Sequence, residues 1–151
     1  MAGSSGCSCA CGRRCRGAGG SVPPSPVPSP RITDVAAARA LFAGLGDATI
    51  EIVAVAYLDP NRRLLGMRHV VGGRDQVAIS IRTVAMDALA FGAVGVVMAH
   101  NHPSGDATPS ARDVAFTRAL AAGLRTLEVV LLDHLVIAGD ELTSLRAMGI
   151  V

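Results

Sequence analysis

The sequence predicts an α/β sandwich, a mixed β-sheet flanked by helices. Three observations carry that expectation. Short, nearly continuous apolar runs such as "TIEIVAVAYLDP" and "VGVVMAH" alternate with segments whose apolar residues recur at helical spacing. Gly, Pro, Asn and Asp stand between these segments, where the chain must turn. Half of the 151 residues are apolar and 17% are charged, which suits one packed domain. Aromatics make up only 3%, so the core must be built from Ala, Val, Leu and Ile.

The elements follow in chain order. "ITDVAAARALFAGLGDA" reads as a helix with Thr33 as N-cap and Gly44 and Gly46 as its stop. "TIEIVAVAYLDP" is apolar and β-branched along almost its whole length, as a central strand covered on both faces should be. Asp59, Pro60 and Asn61 form a turn signal, and "RRLLGMRHVVGG" returns as the partner of a hairpin. "IRTVAMDALAFGA" is helical, with Val84, Ala88 and Phe91 on one stripe. "VGVVMAH" is a second short strand, and "SARDVAFTRALAAG" a further helix, expected to end at Gly123. "LEVVLLDHLVIAGD" supplies one or two more strands, and "SLRAMGI" a closing helical turn.

Residues 1–31 differ in kind. "PPSPVPSP" is restricted to extended or polyproline conformations, and the segment has almost no apolar side chains to offset the entropy of ordering. It reads as a disordered tail ahead of a folded domain at residues 32–151. Cys7, Cys9, Cys11 and Cys15 all lie in it. Their C-x-C-x-C-x3-C spacing does not match the paired C-x2-C knuckles of structural zinc sites, so they read as unstructured thiols, adventitious metal or redox chemistry being the other reading.

Composition also bears on partners. The formal charge of +2 combines four arginines in the first 31 residues with a remainder of ten arginines against twelve acids, and no lysine. A body with that balance lacks the basic face of a dedicated nucleic-acid binder. Association with nucleic acid is left to the arginine-bearing tail, as a weak and salt-sensitive contact. No run is long and apolar enough for a membrane span, and the N-terminus lacks the apolar region of a secretory signal. A cytoplasmic location and no membrane partner are expected.

One stretch concentrates the chemistry. "AHNHPSGDATPSARD" holds His100, His102, Asp106 and Asp113, including half of the chain's four histidines. Side chains two apart on an extended chain share a face, so an H-x-H pair offers two imidazoles to one point, a common beginning for a zinc site. Asp106 and Asp113 compete as third ligand. Ser110 and Asp113 also have capping-box spacing, which alone accounts for an acid there. Yet the helical stripe from Asp113 runs through Phe116, Thr117, Leu120 and Leu124 and is mainly apolar. If it faces the sheet, Asp113 points inward from the first turn, toward the histidines; Asp106, beside Gly105, has no such constraint.

Three protein ligands leave a tetrahedral position open, as in catalytic zinc sites, where water ionises near pH 7. Hydrolysis then needs a base. Glu51 interrupts an apolar strand at its start, although an acid at a strand end is usually just solvated.

These residues resemble a known signature. "HNHPSGDATPSARD" is similar to the JAMM (MPN+/JAB) metalloprotease pattern, H-x-H-P followed after six residues by S-x2-D, with a Glu well upstream. "HNHPSGD", "TPS" and "LLDHLVI" look like its RadC branch, and the likeness covers roughly Ile32 to Val151. The resemblance implies a cytidine-deaminase-like/MPN-type sandwich. It implies Zn2+ held by His100, His102 and Asp113, with Glu51 as catalytic base and Ser110 donating to the oxyanion, a role that can coexist with helix capping. The implied reaction is hydrolysis of a peptide or isopeptide bond in a peptide or protein substrate.

Ala107 departs from the proline common in RadC-type sequences, which loosens the loop and removes no ligand. Full-length RadC proteins carry an N-terminal helix-hairpin-helix region, in whose place the tail stands. The family's alternative reading is a DNA-repair-associated accessory protein with a structural or vestigial metal. His134 in "LLDHLVI" reads first as a hydrogen-bonded core residue and second, with Asp133, as support behind the ligands. His69 reads as structural or surface. The tripeptide "HNH" is no evidence for an HNH nuclease, whose named residues are dispersed. A zinc deaminase is disfavoured because the folded region lacks paired cysteines.

Overall fold

A computed structural model describes residues 29–72 and 79–151; the cysteine-bearing part of the expected tail lies outside the described residues. The apolar runs become five strands, β1 (Ile52–Leu58), β2 (Leu64–Val71), β3 (Gly95–Asn101), β4 (Val130–Ala138) and β5 (Glu141–Ser144). They form one sheet in the order β2-β1-β3-β4-β5. Only β3 and β4 run parallel, while β1 is antiparallel to both of its neighbours, so the sheet is mixed. Three helices accompany it, α1 (Val35–Leu41), α2 (Ile81–Phe91) and α3 (Ala111–Arg125). This is the α/β sandwich the sequence predicts.

The continuous hydrophobicity of β1 has the expected cause, since its two sets of alternating side chains enter two different cores. Val53, Val55 and Tyr57 pack with Val84 and Ala88 of α2 and Leu120 and Leu124 of α3. Ala54, Ala56 and Leu58 pack on the other side with Ala38, Phe42 and Leu45. Burying each larger side chain contributes about 1.5–3 kcal/mol, which makes these two layers the main source of stability.

Several local readings are corrected. The N-cap of α1 is Asp34, not Thr33: its carboxylate accepts the N–H of Ala37 at 2.8 Å. Gly123 does not end α3, which continues to Arg125. A Cβ there would lie 3.2 Å from Ile81 Cγ2, so the residue serves close packing of α3 on α2. Phe91 leaves the buried stripe of Val84 and Ala88. Its ring covers Gly66 of β2 and sits 5.2 Å from the Tyr57 ring. Residues 30–32 pair with Arg62–Leu64, so the chain is tied to the sheet's edge just before α1.

Two features shape the end of the sheet where the histidines stand. The parallel pair β3 and β4 is joined across α3, which places the end of β3 beside the start of α3; ligands in open α/β sheets gather at such carboxyl ends. In addition, β4 carries an irregularity, with Val96 opposite Leu131 but Val97 opposite Asp133. The extra residue, Leu132, reverses the alternation beyond it. Leu131 faces the α2/α3 core and Leu132 the α1 core, and past the bulge His134 returns to the α3 side.

Candidate metal centre

His100 is the penultimate residue of β3, which is buried throughout, and His102 follows directly after the strand's last residue. Ser110 caps α3 and Asp113 occupies its first turn. Each of His100, His102 and Asp113 offers one ligand atom, and these atoms all lie within 4.8 Å of one another. His100 Nε2 is 3.0 Å from His102 Nε2 and 3.5 Å from Asp113 Oδ1, and His102 Nε2 is 3.7 Å from Asp113 Oδ2. Donors at zinc distances in a tetrahedron stand about 3.3 Å apart, so the three groups are spaced to share one ion. The stripe that turns Asp113 inward is buried as its sequence indicates, with Thr117, Leu120 and Leu124 fully covered.

The hydrogen bonds around these groups test whether the donor set fits a cation. His102 Nδ1 is 2.7 Å from the backbone oxygen of Asp106, which only accepts; the ring proton therefore sits on Nδ1, and Nε2 presents a lone pair to the site. Asp106 contributes its carbonyl, while its carboxylate accepts the N–H of Thr108 at 2.8 Å in turning the loop. The side chain's hydrogen bonds with Thr108 hold the Asp106 carboxyl below its usual range.

Ser110 and Asp113 form a complete capping box. The Ser110 hydroxyl donates to Asp113 Oδ2 at 2.6 Å, and the Ser110 N–H donates to the same oxygen at 2.8 Å. Burial opposes the charge of Asp113, but hydrogen bonding at His100 and Ser110 outweighs it and holds the carboxyl well below its ordinary range. The single Ser110 hydroxyl proton is engaged with Asp113, so donation to an oxyanion requires the hydroxyl to turn.

Glu51 reaches the same place from the position just before β1. Val53 is paired with His100, so in the antiparallel register Glu51 falls at the level of His102. Both line a cavity of about 280 Å³, together with His100, Ser110, Arg112, Asp113 and His134. Val53, Ile79, Met98 and Phe116 form its apolar wall.

Three further residues matter here, two of which had no role at the site assigned from the sequence. Asn101 is buried between the histidines' strand and the segment before β1. Its Oδ1 accepts the Ile52 N–H at 2.7 Å, and its Nδ2 donates to the carbonyls of Ile50 and Ala48 at 3.0 and 3.1 Å. Thr117 is also buried and reaches the His134 ring. His134 itself touches His100, Nε2 to Nδ1, at 2.8 Å. Burial, and next the neighbouring His100, push its pKa down to about 3, so its ring is neutral. The only sequence signal for Asn101 and Thr117 was a polar residue at a position where periodicity demands burial.

Asp133 faces away from this centre. It accepts the Ser144 hydroxyl at 2.7 Å and the Arg146 N–H at 3.1 Å, bracing the turn after β5. His69 is exposed on β2.

Sheet order and site together define an α/β domain of the MPN/JAB type with a His–His–Asp group able to hold a metal ion. A family model described as "RadC-like JAB domain" matches residues 32–150, and the chain belongs to that family. It is similar to a "UPF0758 protein" of Polaromonas sp., 40% identical over 108 residues, covering 71% of this chain and 48% of the relative. A UPF0758 protein of Acidithiobacillus ferrooxidans is 40% identical over 110 residues, covering 72% and 49%. One from Cupriavidus pinatubonensis is 41% identical over 100 residues, covering 66% and 44%. The chain spans about half the length of these relatives. Among the described residues, no helix is long and apolar enough to cross a membrane.

Proposed function

We propose that this chain is a zinc-dependent hydrolase that cleaves a peptide or isopeptide bond. The observation that supports this reading most is the convergence of acceptors: the His102 Nε2 lone pair, the Asp113 carboxylate and the facing edge of His100 lie within bonding reach of one point. Such groups repel one another unless positive charge lies between them. Two imidazoles and a carboxylate are a donor set suited to Zn2+.

His100, His102 and Asp113 would hold the ion. When bound, Zn2+ supplies Lewis acidity that brings the ionisation of water down to about pH 7. Glu51, at the rim of the cavity, accepts a proton from the attacking water and returns it to the departing amine. Ser110 steadies Asp113 and, with its hydroxyl turned, donates to the oxyanion. Val53, Ile79, Met98 and Phe116 exclude water and contact the substrate's apolar parts. A peptide or protein substrate in the cytoplasm fits this reading.

Glu51→Gln tests it. With zinc-loaded protein and a fluorescence-quenched peptide library, hydrolysis should fall at least about 100-fold while zinc content is retained. An undiminished rate would remove Glu51 from the mechanism. Equal rates for the wild type and His102→Ala would remove the metal.

A further inference from the structure

Behind His100 a chain of three short contacts runs through the core. His100 Nδ1 meets His134 Nε2 at 2.8 Å, His134 Nδ1 meets Thr117 Oγ1 at 2.5 Å, and Thr117 Oγ1 meets the backbone oxygen of Asp113 at 2.6 Å. All three side chains are buried, and each contact is short enough to be a direct hydrogen bond. Each contact therefore needs one proton from within the chain.

The protons can be assigned from the far end. A backbone carbonyl only accepts, so the 2.6 Å contact uses the one hydroxyl proton of Thr117. Thr117 Oγ1 must then accept from His134, which places a proton on His134 Nδ1. A second proton on that ring would bury a cation whose contacts are a neutral hydroxyl and another imidazole, with no carboxylate touching it. His134 Nε2 is thus a lone pair, and the remaining contact is made by a proton on His100 Nδ1. In neutral His100 the lone pair is left on Nε2, the atom that faces His102 and Asp113.

We infer that His134 and Thr117 are positioning residues that lock His100 into its Nδ1-protonated tautomer and so keep Nε2 open toward the site. The consequence for metal binding rests on the proposed zinc reading; the tautomer assignment does not. The same chain ends on the backbone of Asp113, so it also ties one proposed ligand on β3 to another on α3. The bulge at Leu132 makes this possible, because without it the His134 ring would face the opposite core.

The test uses the full chain with 15N-labelled histidine, before and after addition of Zn2+. Long-range proton–nitrogen correlation spectra should show protonated Nδ1 and unprotonated Nε2 on both His100 and His134 in the metal-free protein, with His134 unchanged by the ion. A protonated Nε2 on metal-free His100, or a doubly protonated His134, overturns the inference. Thr117→Val keeps the branched shape but cannot accept a hydrogen bond, and Thr117→Ser keeps the hydroxyl. Valine should release His134 into a mixture of tautomers and weaken Zn2+ binding about 10–100-fold, and serine should restore both. A valine variant that shifts only the melting temperature shows a structural role alone and also overturns it. If the wild type shows the expected tautomers but takes up no Zn2+, the zinc reading fails and the tautomer assignment stands. If Zn2+ is taken up but metal-free His100 carries its proton on Nε2, the tautomer assignment fails and the zinc reading stands.

Discussion

Asn101 grips the main chain on both sides of Glu51, accepting the N–H of Ile52 at 2.7 Å and donating to the carbonyl of Ile50 at 3.0 Å. The middle residue of "HNH" is therefore the link between the histidine strand and the proposed base. Each of its three hydrogen bonds contributes about 0.5–1.5 kcal/mol, and truncation leaves three part-buried backbone groups without their partner. Asn101→Ala should lower unfolding free energy by about 2–4 kcal/mol in a denaturant titration. Its hydrolytic rate should fall while zinc content in the folded fraction is retained, since the Asn101 side chain hydrogen-bonds to none of the three proposed ligands. Wild-type stability in this variant would contradict the role given to the side chain.

Zinc should stabilise the folded chain by mass action. At free Zn2+ about 100 times the dissociation constant the gain is about 2.7 kcal/mol, visible as a rise in melting temperature that a chelator reverses. Asp113→Asn keeps the size of the side chain but weakens the charge complement, so its zinc-induced rise should be much smaller. Equal rises in the two proteins would place the ion elsewhere.

Ser110 caps α3 and donates to Asp113, so its removal has a stability cost whatever its catalytic share. Ser110→Ala should lose about 1 kcal/mol of stability through the cap. If the hydroxyl also serves the oxyanion, kcat should fall about 100-fold or more with KM little changed. A rate loss no larger than the drop in folded fraction would leave Ser110 as a cap alone.

Tyr57 gives a pH signature far from the site. Burial, then its hydrogen bond to Asp87 at 2.9 Å, raise its pKa well above the ordinary 10.0. A raised acid contributes stability that is fully present below the unfolded-state value and is lost as pH rises toward the folded-state value. Unfolding free energy should thus decline above about pH 10 in the wild type, and this component should vanish in Tyr57→Phe. The same slope in both proteins would assign the alkaline loss to other groups.

Much of this molecule was legible from local pattern. The uninterrupted hydrophobicity of Ile52–Leu58 announced a strand covered on both faces, and it is. The stripe Thr117, Leu120, Leu124 announced which way Asp113 would point. Helix ends were read less well: Gly123 looked like a stop, yet it serves an approach to Ile81 that no local pattern encodes.

By itself the sequence determined the α/β class, the pairing of two imidazoles at a strand end and the inward turn of Asp113. Periodicity and cap chemistry are short-range, set by residues within a few positions of one another. Tertiary structure alone decided which nitrogen of His100 faces the site, that Asn101 holds Glu51 in place, and that His134 stands behind His100. Those outcomes depend on partners 34 to 51 residues apart and on one extra residue in β4 that turns His134 to the α3 side. Proton placement is a property of the whole hydrogen-bonded circuit, which exists only once the strands and α3 have met.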